Sequence, residues 1–157
     1  MSETKSAPGG TDSDAGGPFR VMVVDDSAVI RGLLTRALEK DSSIKVVASV
    51  GNGETAIKAL SRHDIEVIIL DIEMPVMDGL TALPKLLAAQ PGVQVIMAST
   101  LTRKNAEVSL RALQAGAADY LPKPSSTSEL TGADAFQREL VEKVTALATA
   151  ARPWPAL

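Results

Sequence analysis

Five short apolar runs, each followed by a segment with helical spacing, constrain this chain more than any other feature. The runs are Val21–Val24 and Val67–Leu70, which are unbroken, Ile44–Val50 and Val93–Ala98, which are interrupted by Lys45 and Ser49 and by Gln94, and the brief Asp119–Leu121, which opens on Asp119. An unbroken apolar run is what a strand buried on both faces needs, and parallel strands covered by crossover helices are buried that way. The first helix is expected over Ser27–Lys40, where Ile30, Leu33, Leu34, Ala37 and Leu38 fall on one face. A short second helix is expected over Glu54–His63, with Ile57 and Leu60 inward, and a third over Gly79–Gln90. Pro84 lies inside the third and should kink or delay it, because it removes one backbone donor. Ala106–Ala115 is expected to be a helix ended by Gly116. The last helix is expected over Asp134–Ala150, with Asp134 and Gln137 spaced as a capping box and Phe136, Leu140, Val144 and Leu147 as its apolar stripe.

Five β–α units in succession imply an α/β fold: a doubly wound parallel sheet with helices on both faces. At this size the expected arrangement is flavodoxin-like, five strands in the order 2-1-3-4-5. Ligands then bind at the carboxyl ends of the strands, where the order reverses between strands 1 and 3.

Composition fits one domain with an aliphatic core. The chain has 157 residues, 45% of them apolar and only 3% aromatic. Residues 1–18 hold four Gly and two Pro and almost no large apolar side chain, which reads as a disordered tail. Residues 151–157, with Pro153, Trp154 and Pro155, read as a linker, leaving 19–150 for the domain. A net charge of −3 argues against a nucleic-acid partner, since no cationic excess would drive counterion release. The chain has no Cys and His63 as its one His, which excludes a disulfide scaffold, a Cys nucleophile and a His-based metal cluster. His63 itself reads as a solvated residue closing the second helix. No run is long and apolar enough to span a membrane, and the N-terminus has no apolar signal core, so the expected address is the cytoplasm.

The chemistry lies at the carboxyl end of each strand. Strand 1 runs into Asp25-Asp26, strand 3 into Asp71, strand 4 into Ser99-Thr100, and strand 5 into Lys123-Pro124. In the expected order strands 1 and 3 are neighbours, so three carboxylates converge on one crevice, flanked by a hydroxyl and an ammonium. Clustered carboxylates repel unless a cation neutralises them. With only oxygen donors available, the cation should be hard: Mg²⁺, with Mn²⁺ as the alternative, rather than zinc. Mg²⁺ characteristically joins a few carboxylates to a phosphate oxygen, which points to a phosphate-handling site. In it Lys123 serves as a point charge, Ser99 as a donor, and a carboxylate as an acceptor of the phosphoryl group. Singly, each residue has an ordinary reading: an acidic pair before a helix caps it, an Asp after a strand turns the chain, and Lys-Pro is a turn. Their occurrence together, one set per strand end and in the right order, carries the argument.

The stretches Val-Val-Asp25-Asp26-Ser27, Asp71-Ile-Glu-Met74-Pro75-Val-Met-Asp78-Gly79, Ser99-Thr100 and Gly116-Ala-Ala-Asp-Tyr120-Leu-Pro-Lys123-Pro124 resemble those of two-component response-regulator receiver domains. The resemblance covers residues 19–150 and implies the CheY-like version of the flavodoxin-like fold. It implies Asp71 as phosphoacceptor and Asp25 and Asp26 as the Mg²⁺-holding pair, Asp26 directly and Asp25 partly through water. It further implies the backbone carbonyl of Glu73 as a ligand, Lys123 on the phosphoryl group with a candidate cis bond to Pro124, and Ser99 and Tyr120 as the switch pair. Pro75 and Gly79 would shape the loop after Asp71, and Glu73 and Leu101 would flank the path of the hydrolytic water. A histidine kinase is the implied phosphoryl donor. The face made by helix 4, strand 5 and helix 5 is the implied contact for an output domain or partner protein. Such a domain catalyses its own Mg²⁺-dependent phosphorylation and dephosphorylation.

A finer likeness lies in Ser27-Ala28-Val29-Ile30-Arg31 and in Ala98–Leu113, which resemble the regulatory domain of the chemotaxis protein-glutamate methylesterases, the CheB family. Those enzymes carry a Ser-His-Asp esterase domain, and no G-x-S-x-G-like segment or second His accompanies the receiver here. The chain is therefore either the regulatory portion of such a protein or a stand-alone response regulator that binds a partner. A haloacid-dehalogenase-like phosphatase would need an Asp at position 73, where Glu stands. A phosphate-free pseudo-receiver would usually lack one of the acids or the lysine. A dinucleotide-binding domain would need G-x-G-x-x-G after strand 1.

Overall fold

The computed structural model describes residues 17–100, 102–123 and 134–152, apart from the side chain of Asp134. Its elements are β1 (Phe19–Val24), α1 (Ala28–Glu39), β2 (Ile44–Val50), α2 (Gly53–Ala59), β3 (Val67–Asp71), α3 (Gly79–Ala89), β4 (Gln94–Thr100), α4 (Arg103–Gln114), β5 (Asp119–Lys123) and α5 (Asp134–Ala151). The strands form one parallel sheet in the order β2-β1-β3-β4-β5, the order expected from the sequence.

The core has two halves, one on each face of the sheet. Met22, Val24, Ile68, Leu70, Val95 and Met97 face α2, α3 and α4, where they meet Ala56, Leu60, Leu83, Leu86 and Ala112. Val21, Val23, Val67, Ile69, Ile96 and Leu121 face α1 and α5, where they meet Leu34, Leu38, Leu140 and Val144. Successive residues of a strand point to opposite faces, so a run buried on both sides must be apolar throughout. β3, at the centre, is buried over its whole length, Asp71 included.

Several boundaries differ from those read in the sequence, for local reasons. β4 and β5 each run two residues further, pairing Ser99 with Pro122 and Thr100 with Lys123, so the site residues belong to the sheet rather than to loops. α4 begins earlier, at Arg103, because the Thr102 hydroxyl accepts from the Asn105 N–H and caps it. α2 ends earlier, at Ala59; the Ser61 hydroxyl then donates back to the Lys58 carbonyl. Pro84 lies within α3 without delaying it, because Asp78 caps the helix at Thr81 and fixes its start upstream. On α5 the buried stripe is Phe136, Leu140, Val144 and Ala148, with Leu147 only half-buried beside it. The proposed capping role of Asp134 and the Lys123–Pro124 bond fall outside the described residues, as does Leu101.

Candidate functional site

The carboxyl ends of β1, β3 and β5 bring four charged side chains together. Carboxylate oxygens of Asp25, Asp26 and Asp71 all lie within 4.8 Å of one another. Nζ of Lys123 lies between two of them, 2.7 Å from Asp25 Oδ2 and 3.1 Å from Asp71 Oδ1. Asp25 and Asp71 are buried, whereas Asp26 is exposed.

Asp25 is held from both sides. Its Oδ1 accepts from the Ser27 N–H at 2.9 Å and its Oδ2 from Lys123. Ser27 in turn caps α1, its hydroxyl accepting from the Ile30 N–H. Arg31, one turn into α1, donates through Nη1 to the Asp25 carbonyl at 2.7 Å and through Nε to Ser49 Oγ at 3.0 Å. Sequence reasoning assigned Arg31 no role; its place one helical turn after the Ser27 cap was the available signal.

Asp71 is fixed through its backbone. The Gly79 N–H donates to the Ile72 carbonyl at 2.7 Å, and a Cβ on Gly79 would come within 2.2 Å of the Asp71 carbonyl oxygen. Only glycine lets α3 start this close to the strand end. Between them, Met77 N–H donates to the Pro75 carbonyl across Val76, whose φ of 71° makes a tight γ-turn. Val76 is thereby left outside the fold, 83% exposed, while Met74 and Met77 pack on the core.

Charge balance leaves Asp71 under tension. Its pKa is raised from 3.8 to about 6: burial is the main cause, Asp25 and Asp26 add to it, and Lys123 opposes it. Burial alone would lower the Lys123 ammonium, but the hydrogen bond to Asp25 and the charges of Asp71 and Asp25 outweigh it and raise it. One lysine thus serves two buried carboxylates and neutralises neither completely. The open, exposed Asp26 and the hard oxygen donors around it suit a divalent cation.

The remaining expected residues lie close by but play separate parts. Glu73 is in the loop after β3; its side chain is exposed and points towards Lys104, 4.0 Å away, so only its backbone could join the acidic group. Ser99 is buried at the end of β4, one residue past the Ala98 that pairs with Asp71. The Tyr120 ring is turned outward, 43% exposed, with Lys143 Nζ 5.5 Å from its centroid. His63 is only partly exposed and takes no part in the site.

A family model described as the response regulator receiver domain matches residues 21–133. The chain belongs to that family. It is 71% identical, over 95% of its length, to a protein-glutamate methylesterase/protein-glutamine glutaminase of Rhodospirillum centenum, and 68% identical, over 93%, to one of Azospirillum brasilense. It spans only 37% and 38% of those two proteins. Among solved structures it resembles the response regulator domain of Thermotoga maritima CheB, with a TM-score of 0.70 and 32% identity over 88% of this chain and 99% of that one. The receiver domain of NarL from Mycobacterium tuberculosis is similar, with a TM-score of 0.71 and 28% identity over 85% and 98%. The chain is thus a receiver domain of the type found in CheB methylesterases. Among the described residues no helix is long and apolar enough to cross a membrane.

Proposed function

We propose that Asp71 accepts a phosphoryl group from the phosphohistidine of a histidine kinase, in the cytoplasm, and that the phosphorylated domain controls a methylesterase output. The observation that carries this reading is the buried Asp71 held in tension beside Asp25, Asp26 and Lys123. An Asp71 carboxylate oxygen attacks phosphorus in line; the new P–O bond forms as the P–N bond breaks, and the imidazole nitrogen leaves with the electron pair. Mg²⁺ (or Mn²⁺), held by Asp26, Asp71, the Glu73 carbonyl and, partly through water, Asp25, would supply charge neutralisation on the phosphoryl oxygens. Lys123 stands 3.1 Å from Asp71 Oδ1 and would neutralise charge on the incoming phosphoryl oxygens. Positioning and electrostatics account for most of the catalysis in such a transfer.

Ser99 then turns its hydroxyl to the phosphoryl group, and the Tyr120 ring moves into the space behind it. The α4–β5–α5 face changes shape by a shift of population. The high identity to the methylesterases favours their esterase domain as the output rather than a separate partner protein. The test is phosphorylation by radiolabelled acetyl phosphate with Mg²⁺. Wild type should take up label and Asp71→Asn none; label retained on Asp71→Asn overturns the assignment.

A further inference from the structure

Among the described residues, one buried side-chain polar atom has no hydrogen-bond partner: Oδ1 of Asn105. Asn105 is 3% exposed and lies in the first turn of α4. Its amide cannot be turned round, because Nδ2 donates to the Thr100 carbonyl at 3.1 Å and the reverse orientation would set oxygen against oxygen. A buried acceptor without a donor is costly, and its persistence calls for a specific reason.

The reason lies across a cavity. Asn105 lines a space of about 200 Å³ together with Ser99, Ser109, Leu110 and Tyr120. An apolar cavity of roughly 150 Å³ admits benzene, so this one admits a phenol ring. Tyr120 is the one tyrosine of the chain, and its ring now stands outside beneath the Lys143 ammonium. The cavity therefore has Asn105 in its wall, with its unpaired Oδ1 closed off from solvent, and a phenolic donor at its rim; Ser99, in the same lining, is one residue past the Ala98 that pairs with Asp71.

We propose that Asn105 is the positioning residue of the switch: when the ring turns inward, the Tyr120 hydroxyl donates to Asn105 Oδ1. This rests on the Ser99–Tyr120 reading above. It adds a specific partner that makes the inward position a second well-defined state rather than a loosely filled space. The neighbouring Ser109 hydroxyl can rotate to suit either state, whereas the Asn105 oxygen can only accept.

The test uses the 157-residue chain. Incorporation of 3-fluorotyrosine gives a single fluorine resonance on Tyr120, and beryllofluoride with Mg²⁺ serves as a stable phosphoryl mimic. The wild-type resonance should move on activation; no movement overturns the switch reading itself. If it moves, Asn105→Ala should lower the ratio of inward to outward ring by about three- to tenfold, the worth of one net hydrogen bond. The apparent beryllofluoride affinity should fall by the same factor. In the Tyr120→Phe background Asn105→Ala should change that affinity no further. An unchanged ratio in Asn105→Ala, or an equal loss of affinity in both backgrounds, overturns the Asn105 assignment and leaves the switch standing. Should Asn105→Ala fail to fold, Tyr120→Phe alone decides: its beryllofluoride affinity should fall by that same factor, and wild-type affinity overturns the proposal.

Discussion

The two ends of the sheet treat buried charge in opposite ways. At the carboxyl ends of the strands, the buried Asp25 and Asp71 share one lysine beside the exposed Asp26, and Asp71 is driven up to about 6. At the amino ends, Glu66 stands between two arginines. Arg152, at the end of α5, grips it with a forked pair of hydrogen bonds of 2.7 and 3.0 Å and covers the Phe19 ring at 4.4 Å. Arg20 adds its backbone N–H at 3.0 Å, and Arg152 also reaches the carbonyls of Gly17 and Pro18. Burial would raise Glu66, but the Arg152 hydrogen bond, the Arg20 N–H and both guanidinium charges outweigh it and lower its pKa. One end leaves charge uncompensated, which suits the cation and the phosphoryl group proposed for it. The other end neutralises charge on the spot and ties the first strand to the last helix. Chemistry and stability are thus separated by the length of the sheet.

If that contrast is right, removing the charge of Asp71 should stabilise the fold. A carboxyl raised in the folded state costs nothing below its unfolded pKa of 3.8; the cost grows as pH rises towards 6 and is complete above it. Without divalent cations, Asp71→Asn should gain on the order of 3 kcal/mol near pH 7 and nothing below about pH 4, as read by urea unfolding. Mg²⁺ should narrow the gap by stabilising wild type alone. A destabilised Asp71→Asn under those conditions would mean that Lys123 already satisfies the cluster. The opposite end should respond in the opposite sense: Arg152→Ala strands a half-buried carboxylate and should cost about 2 kcal/mol near pH 7 while leaving phosphorylation by acetyl phosphate intact. Equal loss of stability and labelling would show that the two ends are not independent.

The site was legible and the clamp was not, for a physical reason. Asp25, Asp26, Asp71 and Lys123 each stand at the end of an apolar run, so the sheet alone brings them together, and the strand order could be inferred from the β–α alternation. Arg152 and Glu66 are 86 positions apart and join only because α5 returns along the sheet. In the sequence Arg152 stands beside Pro153 and reads as part of a linker. Asn105 was hidden for a related reason. It occupies an inward position of α4 with Ser109 and Ala112, a stripe of small and polar residues that hydrophobic spacing does not flag. The early start of α4 and the length of β4 and β5 were missed where side-chain caps and strand pairing, rather than apolar spacing, set the boundary.

The smallest effect offers the finest test of the contrast. Glu66→Gln keeps the size of the side chain but removes the charge and one of the two acceptor oxygens, so one of the two Arg152 hydrogen bonds is lost with it. A carboxylate lowered in the folded state adds stability above its unfolded pKa of 4.5, and that stability is lost as pH falls through the lower folded value. Glu66→Gln should therefore cost about 1 kcal/mol near pH 7, with wild type and variant converging below about pH 4. Asp71→Asn and wild type should converge over the same acid range, but with the variant the more stable above it. Thermal unfolding of both variants across that range, without divalent cations, would show two differences of opposite sign opening as pH rises. Differences of the same sign would mean that Glu66, like Asp71, is short of compensating charge, and the division between a strained end and a satisfied one would fail.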